Sequence, residues 1–234
     1  MISFDWTLRW GYLVLPSLAI FGSLTNLINI IVLLNPKMKD ISFKYLLAIS
    51  ISDLSYLFLC SYAFVYICPD CPLGNTYFTQ IAVIYSSNYL TSVLAIFNIF
   101  LAIYLSLIRY SVLRNKTYFQ SINVYLVIAS LFFISLIYYS PVLFFSKIIP
   151  IIQQDIHNNI TVIENNNDYI EYKVIKTSVG ASLYGKVTPI ILSVIRLILA
   201  IIITGSINIL NVIEFRKRYS KRIRIQSAEI SIIF

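Results

Sequence analysis

The sequence predicts an all-α membrane protein with five transmembrane helices. Of its 234 residues, 59% are hydrophobic and 12% are charged, and the mean hydropathy is +0.81. The apolar residues fall in runs of about twenty, the length with which a helix crosses a bilayer. Because lipid offers the backbone no hydrogen-bond partner, and the runs lack strict alternation, helices are favoured over a barrel. The predicted spans are about 12–34, 45–67, 78–108, 122–145 and 187–213.

The first apolar run is predicted to be a retained helix, with residues 1–11 as an extracellular N-terminus. It is too long for a secretory signal, it opens with acidic Asp5 beside Arg9, and it ends in the polar segment 35–37. The third span is the longest, so a tilt in the bilayer is expected.

The distribution of basic residues predicts which side of the membrane each loop faces. The positive-inside rule places most lysines and arginines near the cytosolic ends of the spans. Three groups share one side under this rule: Lys37, Lys39 and Lys44; Arg109, Arg114 and Lys116; and, in the tail 214–234, Arg216, Lys217, Arg218, Lys221, Arg222 and Arg224. On the opposite side, four lysines of the long loop 146–186 are balanced by four acidic residues. The N-terminus is therefore predicted outside and the C-terminus cytosolic, in a multi-pass protein of the plasma membrane.

The net charge of +8 is explained by this topology and by contact of the basic residues with anionic lipid, so no nucleic-acid partner is expected. The sequence Asn159-Ile160-Thr161 is an N-glycosylation pattern on the predicted outer side. A second match at Asn115 falls on the cytosolic side, which shows that the pattern also arises by chance.

Three cysteines are too few for a disulfide framework. Cys60 lies in an apolar run and is expected to act as a small buried hydrophobe. Cys68 and Cys71 flank a short outer loop, where they could form a local disulfide or remain free thiols. His157 is the only histidine, so no metal site is expected.

Polar side chains inside apolar spans are costly and suggest functional positions. Asn26 and Asp53 each lie about eight residues from the cytosolic end of their spans, at a depth of roughly 12 Å. A hydrogen bond between them is geometrically reasonable, and Asn98 in the third span reaches a similar depth. Two interpretations stay open for this layer: polar contacts that only hold the helices together, or a site for a cation or a conformational switch.

Two arginines need separate explanations. Arg109 ends the third span, where a basic side chain could simply extend to lipid headgroups. Arg196 lies deeper, in a fifth span without an acidic residue, so its partner must lie on another helix or in a ligand. The candidate ligand contacts, chosen by depth in the outer halves of spans 3 and 5, are Asn88, Thr91, Ser92 and Arg196.

Three motifs resemble those of rhodopsin-like (class A) G-protein-coupled receptors, over about residues 22–218. Span 1 has Gly-Ser-Leu-Thr-Asn at 22–26, span 2 has Leu-Ala-Ile-Ser-Ile-Ser-Asp-Leu at 47–54, and span 3 ends in Ile-Arg-Tyr at 108–110. The resemblance implies that Asp53 is a sodium-site carboxylate with Asn98 as a partner. It also implies that Arg109 and Tyr110 engage the G protein.

The sequence departs from that family at several points. Ile108 replaces the acid of the family's Asp-Arg-Tyr motif, which implies a looser resting state. No cysteine is available at 146–186 for the usual disulfide, and span 4 lacks tryptophan. Thr91 stands where amine receptors have aspartate, Ala200 where the family has proline, and Asn208 where it often has tyrosine. The sequence ends at Phe234, so we expect a receptor truncated after helix 5, with 230–234 as a potential start of helix 6.

The leading functional hypothesis is an orphan or peptide-type receptor that transmits an extracellular ligand signal to a cytosolic heterotrimeric G protein. One alternative is a polytopic transporter or channel subunit, and another is a non-signalling truncated receptor. No enzyme motif is present, since the lone histidine lies in a loop and no second carboxylate accompanies Asp53 in its span. No cofactor is expected, apart from a possible sodium ion at Asp53.

Overall fold

The computed structural model describes residues 6–38, 40–67, 76–114, 122–150 and 172–233. These residues form five long helices and one β-hairpin. The helices are α1 (Trp6–Leu33), α2 (Ile41–Ile67), α3 (Tyr77–Leu113), α4 (Val124–Phe144) and α5, which consists of Leu183–Ile198, Leu199–Ile203 and Thr204–Ile233.

The lengths and hydropathies of these helices confirm an all-α membrane protein. Within the described residues, α2 to α5 each contain a stretch long and apolar enough to cross a membrane. The corresponding apolar stretch of α1 is Ser17–Leu33. Large hydrophobic side chains such as Leu18, Phe21 and Ile31 are exposed on α1, as expected for a surface that faces lipid.

Helix α3 lies at the centre of the bundle and packs on α2, α4 and α5. Its buried side chains contribute to two apolar clusters. One cluster consists of Tyr45, Phe97, Leu101, Leu105, Ile108 and Val124, and the other of Val93, Ile96, Tyr139 and Leu192. Helix α1 packs on α2, at the edge of the bundle.

Two helices contain π-helical segments that the sequence did not reveal. In α3, the segment Val83–Leu90 separates Tyr77–Ala82 from Thr91–Leu113. In α5, the π segment Leu199–Ile203 includes Ala200, which stands where the receptor resemblance has proline. A π turn adds a residue to a helical turn, so it rotates the side chains on one side of it relative to those on the other.

The described parts of the predicted outer loop 146–186 contain regular secondary structure. Strands β1 (Ser146–Pro150) and β2 (Tyr172–Lys176) form an antiparallel pair, with Ile148 opposite Val174. The Tyr172 ring contacts that of Tyr77 at the start of α3, with centroids 5.1 Å apart. Residues 151–171, between the strands, lie outside the described residues.

A turn packed against the end of α4 leads from β2 to α5. The Thr177 amide donates to the Phe145 carbonyl at 3.0 Å, and the Thr177 hydroxyl accepts from the Gly180 amide at 3.0 Å. A Cβ atom at Gly180 would lie 2.0 Å from the Phe145 carbonyl oxygen, so only glycine fits this close approach.

The predicted basic tail, residues 214–234, is helical through Ile233 and continues α5 without a break. The segment proposed as the potential start of helix 6 therefore lies on α5, apart from Phe234, which is outside the described residues.

Candidate functional site

A hydrogen bond between α2 and α3 forms the centre of the predicted polar layer. The Asn98 side-chain amide donates to Asp53 Oδ1 at 2.5 Å, and both residues are partly buried. The Asn98 Oδ1 and Ser52 Oγ atoms are buried without a hydrogen-bond partner. The expected proximity of Asp53 and Asn98 is confirmed, and an unpaired acceptor remains beside the carboxylate.

Asn26 does not join this hydrogen bond, so the Asn26–Asp53 hydrogen bond that their similar depth allowed is not formed. Its side-chain amide instead donates at 3.0 Å to the Gly22 carbonyl, one turn earlier on α1. Gly22 is also where α1 and α2 approach closely, since a Cβ there would lie 2.8 Å from Leu57 Cδ1. The predicted three-residue layer reduces to a pair between α2 and α3.

The C-terminal end of α3, which is predicted to be cytosolic, presents an arginine without an acidic partner among the described residues. Ile108 is 0% exposed and belongs to the apolar core. The next residue, Arg109, is exposed, and no described carboxylate forms an ion pair with it. Tyr110 is occupied locally, with its ring 5.1 Å from the Arg114 guanidinium carbon. The Arg109 side chain is therefore exposed at this end of α3.

Just inward of Arg109, polar contacts join α3 to α5. The Ser106 hydroxyl donates to Asn208 Oδ1 at 3.1 Å, and the Asn211 side-chain amide donates to the Ser106 carbonyl at 3.1 Å. We call Ser106, Asn208 and Asn211 the α3–α5 polar cluster. Its position, less than one turn from Arg109, couples the placement of α5 to the end of α3 that carries the arginine.

The inward face of α5 carries Arg196. Leu192, Arg196 and Leu199 follow at helical spacing, and both leucines pack against α3 and α4. Tyr139 of α4, which packs in the same cluster as Leu192, interacts with the Arg196 guanidinium, whereas Tyr56 of α2 lies within longer electrostatic range only. The arginine therefore lies beside a phenol group of α4.

The remaining candidate ligand contacts use their polar groups within α3. Thr91 is buried and its hydroxyl donates to the Ser87 carbonyl, while the Ser92 hydroxyl donates to the Asn88 carbonyl at 2.9 Å. The Asn88 side chain is exposed. Because the π segment ends at Leu90, side chains before and after it do not keep the register assumed from the sequence.

In a comparison with models of protein families, residues 14–231 match the serpentine type 7TM GPCR chemoreceptor Srw. The match covers most of the chain. The chain belongs to the Srw chemoreceptor family. No curated protein matches it.

Membership in the Srw family confirms the prediction of a multi-pass G-protein-coupled receptor rather than an enzyme. The narrower assignment to the rhodopsin-like class stays a prediction, as do the ligand, the G protein and the orientation. Among the described residues of this Srw receptor, no three histidine, cysteine or acidic side chains lie close enough to hold a metal ion.

Three predicted positions of the Srw receptor, Cys68, Cys71 and Asn159, fall outside the described residues. Cys60 is a free thiol on α2 and is only partly buried, so it is more exposed than the small buried hydrophobe that was expected.

Sequence reasoning missed the partners of several site residues. Tyr139 was not singled out, because tyrosine is common in this chain and its hydroxyl carries no charge at neutral pH. Ser106 and Asn211 were missed for a similar reason. A usable signal was the spacing of Asn208 and Asn211, three residues apart and so on one face of α5.

Proposed function

We propose that this Srw receptor is a plasma-membrane chemoreceptor that transmits the binding of an extracellular ligand to a heterotrimeric G protein by a rhodopsin-like mechanism. The observation that carries the proposal is the Asn98–Asp53 hydrogen bond. Arg109 follows Asn98 on the same α-helical segment by eleven residues, about three turns, so both lie on one face of α3. A movement of α3 at the polar pair would thus also displace Arg109.

The Asp53 carboxylate is suited to act as a switch because its environment supports two states. With its charge retained, it needs the Asn98 amide or a cation nearby; without either, protonation is favoured. The unpaired Asn98 Oδ1 supplies a further oxygen close to the carboxylate. Oxygen donors of this kind suit a hard cation such as sodium, and a bound sodium ion would favour one arrangement of α2 and α3.

The exposed Arg109 supports coupling to a G protein and predicts considerable signalling without ligand. A neighbouring acid would hold the guanidinium in place, but buried Ile108 offers no charge. Less free energy is then needed to present Arg109 to a cytosolic partner. Arg216 and Lys217 on α5 are also exposed, and they extend the basic surface on the side predicted to be cytosolic.

The test measures sodium-dependent nucleotide exchange, because no ligand is needed. Full-length receptor is expressed in cell membranes with a G protein. Binding of radiolabelled GTPγS to the G protein is followed as sodium replaces choline at constant ionic strength. The wild type should show basal exchange that sodium lowers. Asp53→Asn should lose the sodium response, and Arg109→Ala should lose basal exchange at equal surface expression.

Asp40→Asn is the matched control, since Asp40 is an exposed carboxylate outside the polar pair. It should behave as the wild type. An unchanged sodium response in Asp53→Asn would refute the switch role of Asp53. Solute or ion flux in proteoliposomes without any nucleotide exchange would instead support a transporter or channel subunit.

A further inference from the structure

Arg196 lies in the membrane-spanning part of α5 and faces the helix bundle. It follows the first residue of α5, Leu183, by thirteen residues, about 20 Å of helix. Its neighbours on the same face, Leu192 and Leu199, pack against α3 and α4. An arginine that extended to lipid headgroups would project from the lipid-facing side of α5. Arg196 projects from the side that carries Leu192 and Leu199, so headgroup contact does not explain it.

No described carboxylate neutralises Arg196. The acidic residues whose side chains are described are Asp40, Asp53 and Glu214. Asp40 lies in the loop before α2, and Asp53 is bound to Asn98. Glu214 is eighteen residues farther along α5, about 27 Å away. A guanidinium inside a membrane protein keeps its charge, so its counter-charge must come from elsewhere.

The groups around Arg196 are suited to binding a small anion. A guanidinium has five N–H donors, and the Tyr139 hydroxyl can accept from only part of them. The Tyr139 hydroxyl can also donate to an anion. Leu192, one turn before Arg196, packs with Val93 and Ile96 in an apolar cluster.

We propose that Arg196, with Tyr139 beside it, binds the carboxylate of a small, otherwise apolar extracellular ligand. The inference rests on the proposed receptor function and names the chemical class of the ligand. A carboxylate fits because its two oxygens match the planar guanidinium in a bidentate pair. Its single negative charge also balances the single positive charge, which leaves the buried pair neutral.

The outer hairpin is consistent with the approach of an anion. Lys147 and Lys173 are exposed on the same face of the β1–β2 pair, because Lys173 lies opposite Ile149. Lys176 is also exposed, at the end of β2. The acidic residues of this loop belong to the segment 155–171, between the strands. Basic groups near an entrance raise the local concentration of anions.

The test measures binding directly, without a G protein. The full chain is reconstituted in phosphatidylcholine nanodiscs and titrated calorimetrically with octanoate and with octanol, which has the same apolar chain but no charge. Empty nanodiscs correct for partition into lipid. Octanoate should bind saturably to the wild type. Arg196→Gln should lower the affinity for octanoate by about tenfold or more, near 1.4 kcal/mol, and leave the affinity for octanol unchanged.

Further variants separate loss of the site from loss of the fold. Arg196→Lys keeps the charge but not the planar fork, so it should retain part of the octanoate affinity. Tyr139→Phe removes the hydroxyl but keeps the ring, so it should lower the affinity for octanoate. Lys186→Gln removes an exposed cation from the same helix and should leave octanoate affinity unchanged. Only variants with the same thermal stability and the same elution volume in size-exclusion chromatography as the wild type are compared.

Two results would overturn the inference: equal octanoate affinity in the wild type and Arg196→Gln, or equal affinity of the wild type for octanoate and octanol. Loss of octanoate binding when phosphatidylglycerol is added would also overturn it, because Arg196 would then bind lipid headgroups. If octanoate binds as expected but no nucleotide exchange is found, the proposed function fails and the anion site stands. If exchange is found but no carboxylate binds, only the anion site fails.

Discussion

The α3–α5 polar cluster gives a prediction that distinguishes side-chain from backbone hydrogen bonds. Ser106 takes part through two groups: its hydroxyl donates to Asn208, and its carbonyl accepts from Asn211. Ser106→Ala removes only the hydroxyl. The effects of Ser106→Ala and Asn208→Ala on the free energy of unfolding should therefore be coupled, while those of Ser106→Ala and Asn211→Ala should add.

The expected coupling energy follows from the kind of bond. Double-mutant cycles on hydrogen bonds in membrane proteins average about 0.6 kcal/mol and reach about 1.7. The bond is neutral and partly buried, so we expect about 1 kcal/mol for Ser106 with Asn208. Asn211→Ala also removes a buried oxygen, Oδ1, that has no partner, which offsets part of the loss of its own bond.

Reversible unfolding in mixed micelles, followed by circular dichroism, measures these free energies for the wild type, the three single variants and two double variants. Additivity should hold within about 0.5 kcal/mol for Ser106 and Asn211. A coupling that is larger for Ser106 with Asn211 than for Ser106 with Asn208 would refute the assigned hydrogen bonds.

Two further predictions concern the turn between β2 and α5 and the β1–β2 hairpin. Gly180→Ala should destabilise the protein by roughly 1–3 kcal/mol, because the added Cβ would meet the backbone oxygen of Phe145. Gly205→Ala has open space around it and should stabilise α5 by about 0.8 kcal/mol. Thermal unfolding compares the two variants, and equal changes in stability would contradict the close packing at Gly180. Tyr77→Ala should release the hairpin from α3 with a loss of about 1 kcal/mol and speed its cleavage by protease. Tyr172→Ala should do the same, and no change in cleavage for either variant would show that the ring contact does not hold the hairpin.

The Tyr77–Tyr172 contact also bears on the missing disulfide. The sequence has no cysteine at 146–186 to tie the outer loop to α3. The tyrosine pair joins the same two parts of the molecule without a covalent bond. The sequence predicted the absence of the disulfide but not this contact, because the two residues are 95 positions apart (172 − 77).

The candidate site was predictable only in part. Asp53 and Asn98 were found because polar groups inside apolar spans are rare, and matching depths indicated that they could meet. Depth does not fix the rotation of a helix, which is why Asn26 was assigned to the same layer but binds Gly22. Thr91 and Ser92 were placed by depth in the same way, and their hydroxyls bind the backbone of α3.

The sequence by itself determined that this protein is a bundle of membrane-spanning helices, and it located all but one of their ends to within about six residues; α5 instead continues to Ile233, well past the predicted end at 213. It could do so because the thickness of hydrocarbon and the cost of burying charge act on each segment separately. Only the tertiary structure decided which polar side chains meet, where the π segments Val83–Leu90 and Leu199–Ile203 lie, and that Arg196 lies beside Tyr139. Those contacts depend on how the helices rotate and pack against one another, and residue spacing along a single helix does not specify that.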